Sequence, residues 1–283
     1  MQNLIDIFKG AMIGIANIIP GVSGGTLAVV MGIYDKLINA VSSILKEPVK
    51  AIKGIWLYAI GMILGVGSSI LGVSYLLETY PVVITLLFVG LIVGAIPLII
   101  GEVDKKKIET KDVIVFSVMM LVTLLLPFIG EAGVQVQIAN ENFIILMLVG
   151  LIAAGTMVLP GISGSMVLMA LGYYKGMADI ASQTIKAMFK FDLQTVFTNC
   201  LVIIPFVIGI VIGIILIAKL VKWLFEHYKK MTYWAILGLV VASPFPVLLQ
   251  LNIVAATKLD IILGIVLFVF GIGISNWVAK IGK

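Results

Sequence analysis

Pro20-Gly21-Val22-Ser23-Gly24-Gly25-Thr26 lies inside an apolar run, and Pro160-Gly161-Ile162-Ser163-Gly164-Ser165 repeats its pattern 140 residues later. Proline removes a backbone donor and glycine weakens a helix interior, so each stretch predicts a break between two helical arms. Irregular backbone at membrane depth is tolerated only where it is buried in protein or lines a cavity. Two such breaks at corresponding places of a duplicated chain point to a transporter's binding site.

The surroundings of the breaks are those of a membrane protein. The chain is 61% hydrophobic and 12% charged, with a mean hydropathy of +1.23. A soluble domain is nearer 45–50% apolar and about 25% charged. All 19 basic residues are lysines, which excludes a bidentate guanidinium clamp. An anion would therefore be held by Lys, hydroxyls or backbone N–H groups. The net charge of +5 does not mark a nucleic-acid binder, because the lysines fall in short loops between apolar spans and so report topology. The single cysteine, Cys200, cannot form an intrachain disulfide and reads as a small buried hydrophobe.

Apolar segments run over 4–34, 54–77, 82–100, 112–129, 143–174, 199–218, 232–250 and 259–279. Six of them suit single crossings of about 20 residues. Segments 4–34 and 143–174 are longer, and Pro-Gly divides each into arms that suit a re-entrant hairpin. The halves overlay: Pro20, Gly21, Ser23, Gly24, Gly32 and Tyr34 meet identical residues at an offset of 140, while Glu78, Tyr80, Gly90 and Asp112 meet theirs at 148. The drift places an insertion in 175–198, read as a long, partly amphipathic loop. The expected fold is an all-α polytopic membrane domain over 1–283, made of repeats 1–130 and 141–283. Each repeat is a re-entrant hairpin plus three transmembrane helices.

A hairpin plus three spans crosses an odd number of times, so the second repeat must be inverted. With both termini inside, 15 lysines fall on the cytoplasmic side and 4 outside. If the broken segments each spanned once, the best split would be 12 to 7. The positive-inside rule therefore selects inverted repeats. Lys36–Lys53 and Lys105–Lys111 are expected inside and 130–142, which lacks Lys, outside.

Two hairpins entering from opposite faces bring their tips together near the midplane. Ser and Thr at a helix start satisfy orphan N–H groups. Free N–H groups and hydroxyls make an anion seat without a formal charge, and glycine lets the backbone approach the ligand. The candidate site is Pro20, Gly21, Ser23, Gly24, Gly25 and Thr26 facing Pro160, Gly161, Ser163, Gly164 and Ser165, with Asn17 and Thr156 on the arms. Four hydroxyls, from Ser23, Thr26, Ser163 and Ser165, are expected around one cavity. The competing reading of each break, a kink for packing, explains one copy better than two matched ones. Gly10/Gly14, Gly61/Gly65, Gly90/Gly94 and Gly209/Gly213 are spaced for close helix packing. Glu78 and Glu226 are span-end mates, read as solvated or paired. No His/Cys/Asp/Glu cluster has metal-ligand spacing and no nucleophile stands beside a base, so no metal, cofactor or catalytic residue is expected.

The run Gly14-Ile15-Ala16-Asn17-Ile18-Ile19-Pro20-Gly21-Val22-Ser23-Gly24-Gly25-Thr26, continuing to Gly32-Ile33-Tyr34, resembles the signature of the PopT-type polyprenyl-phosphate transporters, and Leu159–Ser165 is similar to that family's second loop. The resemblance covers essentially the whole chain. It implies a multi-pass protein of the bacterial cell membrane whose partners are membrane lipids and polyprenyl phosphate, with no nucleic acid. It implies translocation of undecaprenyl phosphate from the outer to the inner leaflet, which recycles the lipid carrier of cell-wall polymer synthesis. A secondary transporter of a small soluble anion is the alternative. A membrane enzyme acting on lipid phosphate is a third reading, disfavoured by the missing nucleophile and metal site.

Overall fold

The computed structural model describes residues 2–18, 22–69, 74–103, 108–129, 138, 142–249, 251 and 256–281, and among them every regular element is helical. Among the described residues six helices are long and apolar enough to cross a membrane: Pro48–Ser68, Pro81–Glu102, Thr110–Ile129, Leu193–His227, Lys229–Leu249 and Lys258–Val278. Side chains such as Val113, Ile114, Leu121 and Leu125 stand exposed along one of them, as a lipid-facing surface requires.

Among the described residues seven helices fall in 2–129 and seven in 143–281. First are α1 (Gln2–Ile18), α2 (Gly24–Val30), α3 (Tyr34–Ser43), α4 (Pro48–Ser68), α5 (Ser74–Thr79), α6 (Pro81–Glu102) and α7 (Thr110–Ile129). Then come α8 (Phe143–Val158), α9 (Gly164–Ala170), α10 (Tyr174–Phe189), α11 (Leu193–His227), α12 (Lys229–Ala242), α13 (Pro244–Leu249) and α14 (Lys258–Ile281). The Pro-Gly stretches do break the helices: α8 stops at Val158 and α9 starts at Gly164, and α1 and α2 are parted at the matching place. Both short helices end alike. Gly32 (φ +66°) and Gly172 (φ +79°) adopt the left-handed conformation that terminates a helix. The following N–H groups reach back the same distance, Ile33 to Ala28 and Tyr173 to Leu168.

Glycine sets the packing. α1 lies along α4 so closely that a Cβ on Gly10 or Gly14 would strike the backbone of Tyr58 or Met62, and one on Gly61 or Gly65 that of Ile7 or Ala11. α8 lies on α11 in the same register: Gly150 meets Phe206, and Gly209 and Gly213 meet Met147 and Leu151. The remaining long helices cross between the two sets. α6 packs along α14, with Gly90 on Phe268 and Gly94 on Ile272, while α12 packs along α7, with Gly238 on Phe116. These glycines are close-packing positions. Lys230 on α12 also pairs with the buried Asp112 of α7.

Three expectations change. The stretch 175–198 is mostly helix, because α10 runs to Phe189 and is six residues longer than α3, 16 against 10. Its lysines and polar residues hid it from a search for apolar runs, although no Gly or Pro interrupts 177–204. The expected span 199–218 is the middle of the 35-residue α11, which starts beside Asp192, whose carboxylate accepts from the Thr195 N–H. The expected span 54–77 is two elements, α4 ending at Ser68 and α5 starting at Ser74. Most of 130–142, Lys105–Lys107 and the side chain of Glu78 lie outside the described residues.

Candidate functional site

The two broken segments meet. Ser23 takes an extended conformation (φ −99°, ψ 125°) and caps α2, its Oγ accepting from the Thr26 N–H at 3.4 Å. The same hydroxyl donates to the carbonyl of Leu159 at 3.3 Å. In return the Gly161 N–H donates to Thr26 Oγ1 at 2.6 Å. The loops, some 135 residues apart, are thus cross-linked by two hydrogen bonds. Gly25 seats the contact: a Cβ there would stand 3.0 to 3.1 Å from the carbonyl oxygens of Val158, Leu159 and Met157. Gly161 (φ +86°) needs glycine both for its left-handed backbone and for its approach to the Leu239 backbone.

The remaining site residues fall around this contact. In the second loop Ser163 occupies the cap position of α9 (φ −94°, ψ 131°) without a side-chain cap bond. Its Oγ instead lies 2.7 Å from Ser165 Oγ. Pro160 is fully buried. Gly24 packs on the Asn17 side chain, and Gly164 packs at the equivalent place on Met157. Asn17 is exposed; Thr156, half-buried, bonds back to the Ala153 carbonyl at 2.7 Å. Pro20 and Gly21 lie outside the described residues.

The hydroxyls do not surround an open cavity as expected. Ser23, Thr26 and Ser163 are 4%, 0% and 5% exposed; Ser23 and Thr26 are spent on the facing loop and Ser163 on Ser165 of its own. A buried hydroxyl must find a partner, and here the loops supply it. A cavity of about 410 Å³ lies at the other end of α2. Its walls are the C-terminal ends of α2 and α6, the start of α3, and parts of α11, α12 and α14. Asp35, Glu102, Tyr34 and Tyr233 line it. Burial, then Glu102, pushes the Asp35 carboxyl up, and Lys229 opposes this. The apolar-run reading missed this vestibule because its polar residues come from three separate helices; Asp35 directly after the matched Tyr34 was the available signal.

The loop contact makes a stability prediction. Thr26→Val removes the acceptor of the buried Gly161 N–H. It is expected to cost about 1–3 kcal/mol in equilibrium unfolding in mixed micelles. Thr26→Ser, which keeps the oxygen, should recover most of that. Equal stability of the two variants would show that the hydrogen bond contributes nothing.

A family model described as undecaprenyl phosphate translocase-like matches residues 13–262. A polyprenyl-phosphate transporter of Vibrio cholerae is 28% identical over 257 residues, 86% of this chain and 77% of its own length. A polyprenyl-phosphate transporter of Staphylococcus aureus is 29% identical over 249 residues, 86% of this chain and 85% of its own. No solved structure matches the chain.

Proposed function

The chain belongs to the undecaprenyl phosphate translocase-like family, and from that premise we propose that it carries undecaprenyl phosphate from the outer to the inner leaflet of the bacterial cell membrane, returning the lipid carrier for cell-wall polymer synthesis. The observation that carries this reading is the loop contact itself. Two copies of a Pro-Gly-x-Ser-Gly stretch in a membrane chain touch through Ser23, Thr26, Leu159 and Gly161. Their hydroxyls and N–H groups suit a phosphate that has no guanidinium to receive it. When the headgroup enters, Thr26, Ser23, Ser163 and Ser165 exchange their mutual hydrogen bonds for phosphate oxygens, and Gly24, Gly25 and Gly164 let it approach the backbone. The prenyl tail stays in lipid.

The architecture proposed for this is a pair of inverted repeats, 1–130 and 141–283, each a re-entrant hairpin and three spans, with both termini cytoplasmic. The matched glycine registers of α1 on α4 and α8 on α11 support it, as does the 15-to-4 lysine split. In this orientation the 410 Å³ cavity opens toward the cytoplasm, because the ends of the helices that form it are the lysine-rich ones. The state described is then inward-facing, and rocking of one repeat against the other would open the opposite side.

Proteoliposomes containing only this protein should translocate labelled undecaprenyl phosphate. Retention of the label in its original leaflet, with uptake of a soluble phosphate or carboxylate instead, would replace the lipid by the soluble-anion reading. Cysteine labelling gives the topology prediction: positions in 36–53 should react only from the cytoplasmic side and positions in 130–142 only from outside. The reverse pattern in either segment refutes inversion.

A further inference from the structure

We propose that the corner joining α10 to α11, residues 185–193, is an interfacial anchor that docks on anionic phospholipid headgroups, with Phe189, Phe191 and Leu193 at the boundary between headgroups and acyl chains and Lys186 and Lys190 on lipid phosphates. The way α10 ends is the first sign. α2 and α9 each stop on a left-handed glycine, Gly32 or Gly172, with two N–H groups reaching back to the last turn. α10 closes with the same pair of bonds, Phe191 N–H to the Met188 carbonyl and Asp192 N–H to that of Ala187, but phenylalanine holds glycine's place at φ +57°. A side chain is strained in that conformation, and here the protein does not repay it, because Phe191 is 86% exposed. Phe189 and Leu193 beside it are 83% and 76% exposed. In water such a cluster is costly. At the boundary of a bilayer, apolar side chains flanked by lysines are favoured.

Charge and depth name the occupant. Residues 180–191 hold Lys186 and Lys190 and no Asp or Glu, and among the described residues neither lysine has an ion pair. Asp192 follows, but its carboxylate accepts from the Thr195 N–H and hydroxyl at 3.1 and 2.6 Å. Those bonds come first in holding it below the usual carboxylate range, and Lys190 comes last. The 35 residues of α11 extend about 52 Å, and its uncharged stretch 200–218 already covers a hydrocarbon core of roughly 30 Å. The start of α11, and the corner with it, therefore stands at the depth of the headgroups. That leaflet is the outer one in the orientation proposed above; the docking does not depend on which. Three of the four lysines left outside by that orientation, Lys175, Lys186 and Lys190, lie on α10 or its cap, and lipid phosphates give them counter-ions there. The corner between α3 and α4 does without these features. α3 is 10 residues against 16 for α10, Leu45 is the large hydrophobe exposed within 44–47, and Glu47 pairs with Lys50 at 3.0 Å. The residues that the second repeat holds in excess are thus the ones that carry the anchor.

The test places a polarity-sensitive fluorophore on Gln194→Cys, with Cys200→Ala, in the full-length chain. The protein is reconstituted in vesicles of phosphatidylcholine alone or mixed with phosphatidylglycerol. With phosphatidylglycerol the emission should shift to the blue, a lipid-borne quencher at shallow depth should reach the probe, and aqueous iodide should not. Lys186→Gln with Lys190→Gln should abolish the dependence on phosphatidylglycerol. Phe191→Gly should raise iodide quenching several-fold, yet leave the thermal midpoint in micelles unchanged or higher, because glycine suits the left-handed position. A lower midpoint would mean that the ring packs on protein, and would overturn the anchor. So would iodide quenching that is full in both kinds of vesicle. Protection that ignores lipid charge and grows with protein density would put a second copy on this surface instead of lipid. None of these readouts uses transport, so failure of the anchor and failure of the translocase reading are told apart.

Discussion

Gly25→Val is expected to reduce undecaprenyl phosphate translocation to background while the protein still inserts and purifies. The Cβ of any residue at 25 would meet three backbone carbonyls at 3.0 to 3.1 Å, those of Met157, Val158 and Leu159. Backbone cannot swing aside as a side chain does, so α2 and the end of α8 must give by a few tenths of an ångström for the Cβ alone, and further for the two valine methyls. The Ser23–Leu159 and Thr26–Gly161 hydrogen bonds sit within one turn of that point and would part with it. Overpacking of this kind costs typically 1–3 kcal/mol, enough to separate the loops without unfolding the protein. Gly164→Val acts through Met157 and the Ala153 carbonyl, at 2.5 and 2.9 Å, and should also inactivate. Gly24→Ala meets the Asn17 side chain, which is exposed and free to turn, and should keep measurable transport. Flux of labelled lipid in proteoliposomes decides it; parental flux in Gly25→Val would mean that the loops need not touch or approach a ligand.

The second large effect is on folding and can be read within one helix. In α4, Gly61 and Gly65 face the backbone of α1, whereas Gly54 and Gly67 have nothing within 4 Å. Gly61→Val should prevent α1 from docking and cost more than the usual ~1–3 kcal/mol of an overpacked site, because both contacting surfaces are backbone. Gly209→Val should do the same to α8 on α11, where the backbone of Met147 is in the way. Gly54→Ala should be neutral or stabilise by up to about 1 kcal/mol, since alanine is the better helix former. Unfolding followed by helical signal against denaturant in micelles checks the pair. Equal destabilisation by Gly54→Ala and Gly61→Val would refute glycine-seated packing.

Much of this molecule was legible before any coordinates. The breaks at Pro20-Gly21 and Pro160-Gly161 were legible because proline and glycine act locally, on their own φ and on one hydrogen bond. The glycine spacings were legible because a helix places residues four apart on one face. α10 was not, since its polar face interrupts the apolar run that marked the other helices, and neither was the full 35-residue extent of α11.

What the chain determined alone is what depends on near neighbours: six apolar spans, two broken arms, a lysine pattern on which the proposed orientation rests, and a hydroxyl at the start of each short helix. Which hydroxyl meets which group was decided only by the tertiary structure. Ser23 finds the Leu159 carbonyl and Thr26 the Gly161 N–H, while Ser163 turns to Ser165, although the two loops are near copies in sequence. The cavity at the far end of α2 and the seat of Lys36 on Tyr58 have the same origin. Each draws side chains from helices far apart in sequence, and the distance between such groups is set by how closely glycine lets the backbones approach, a quantity with no local signature.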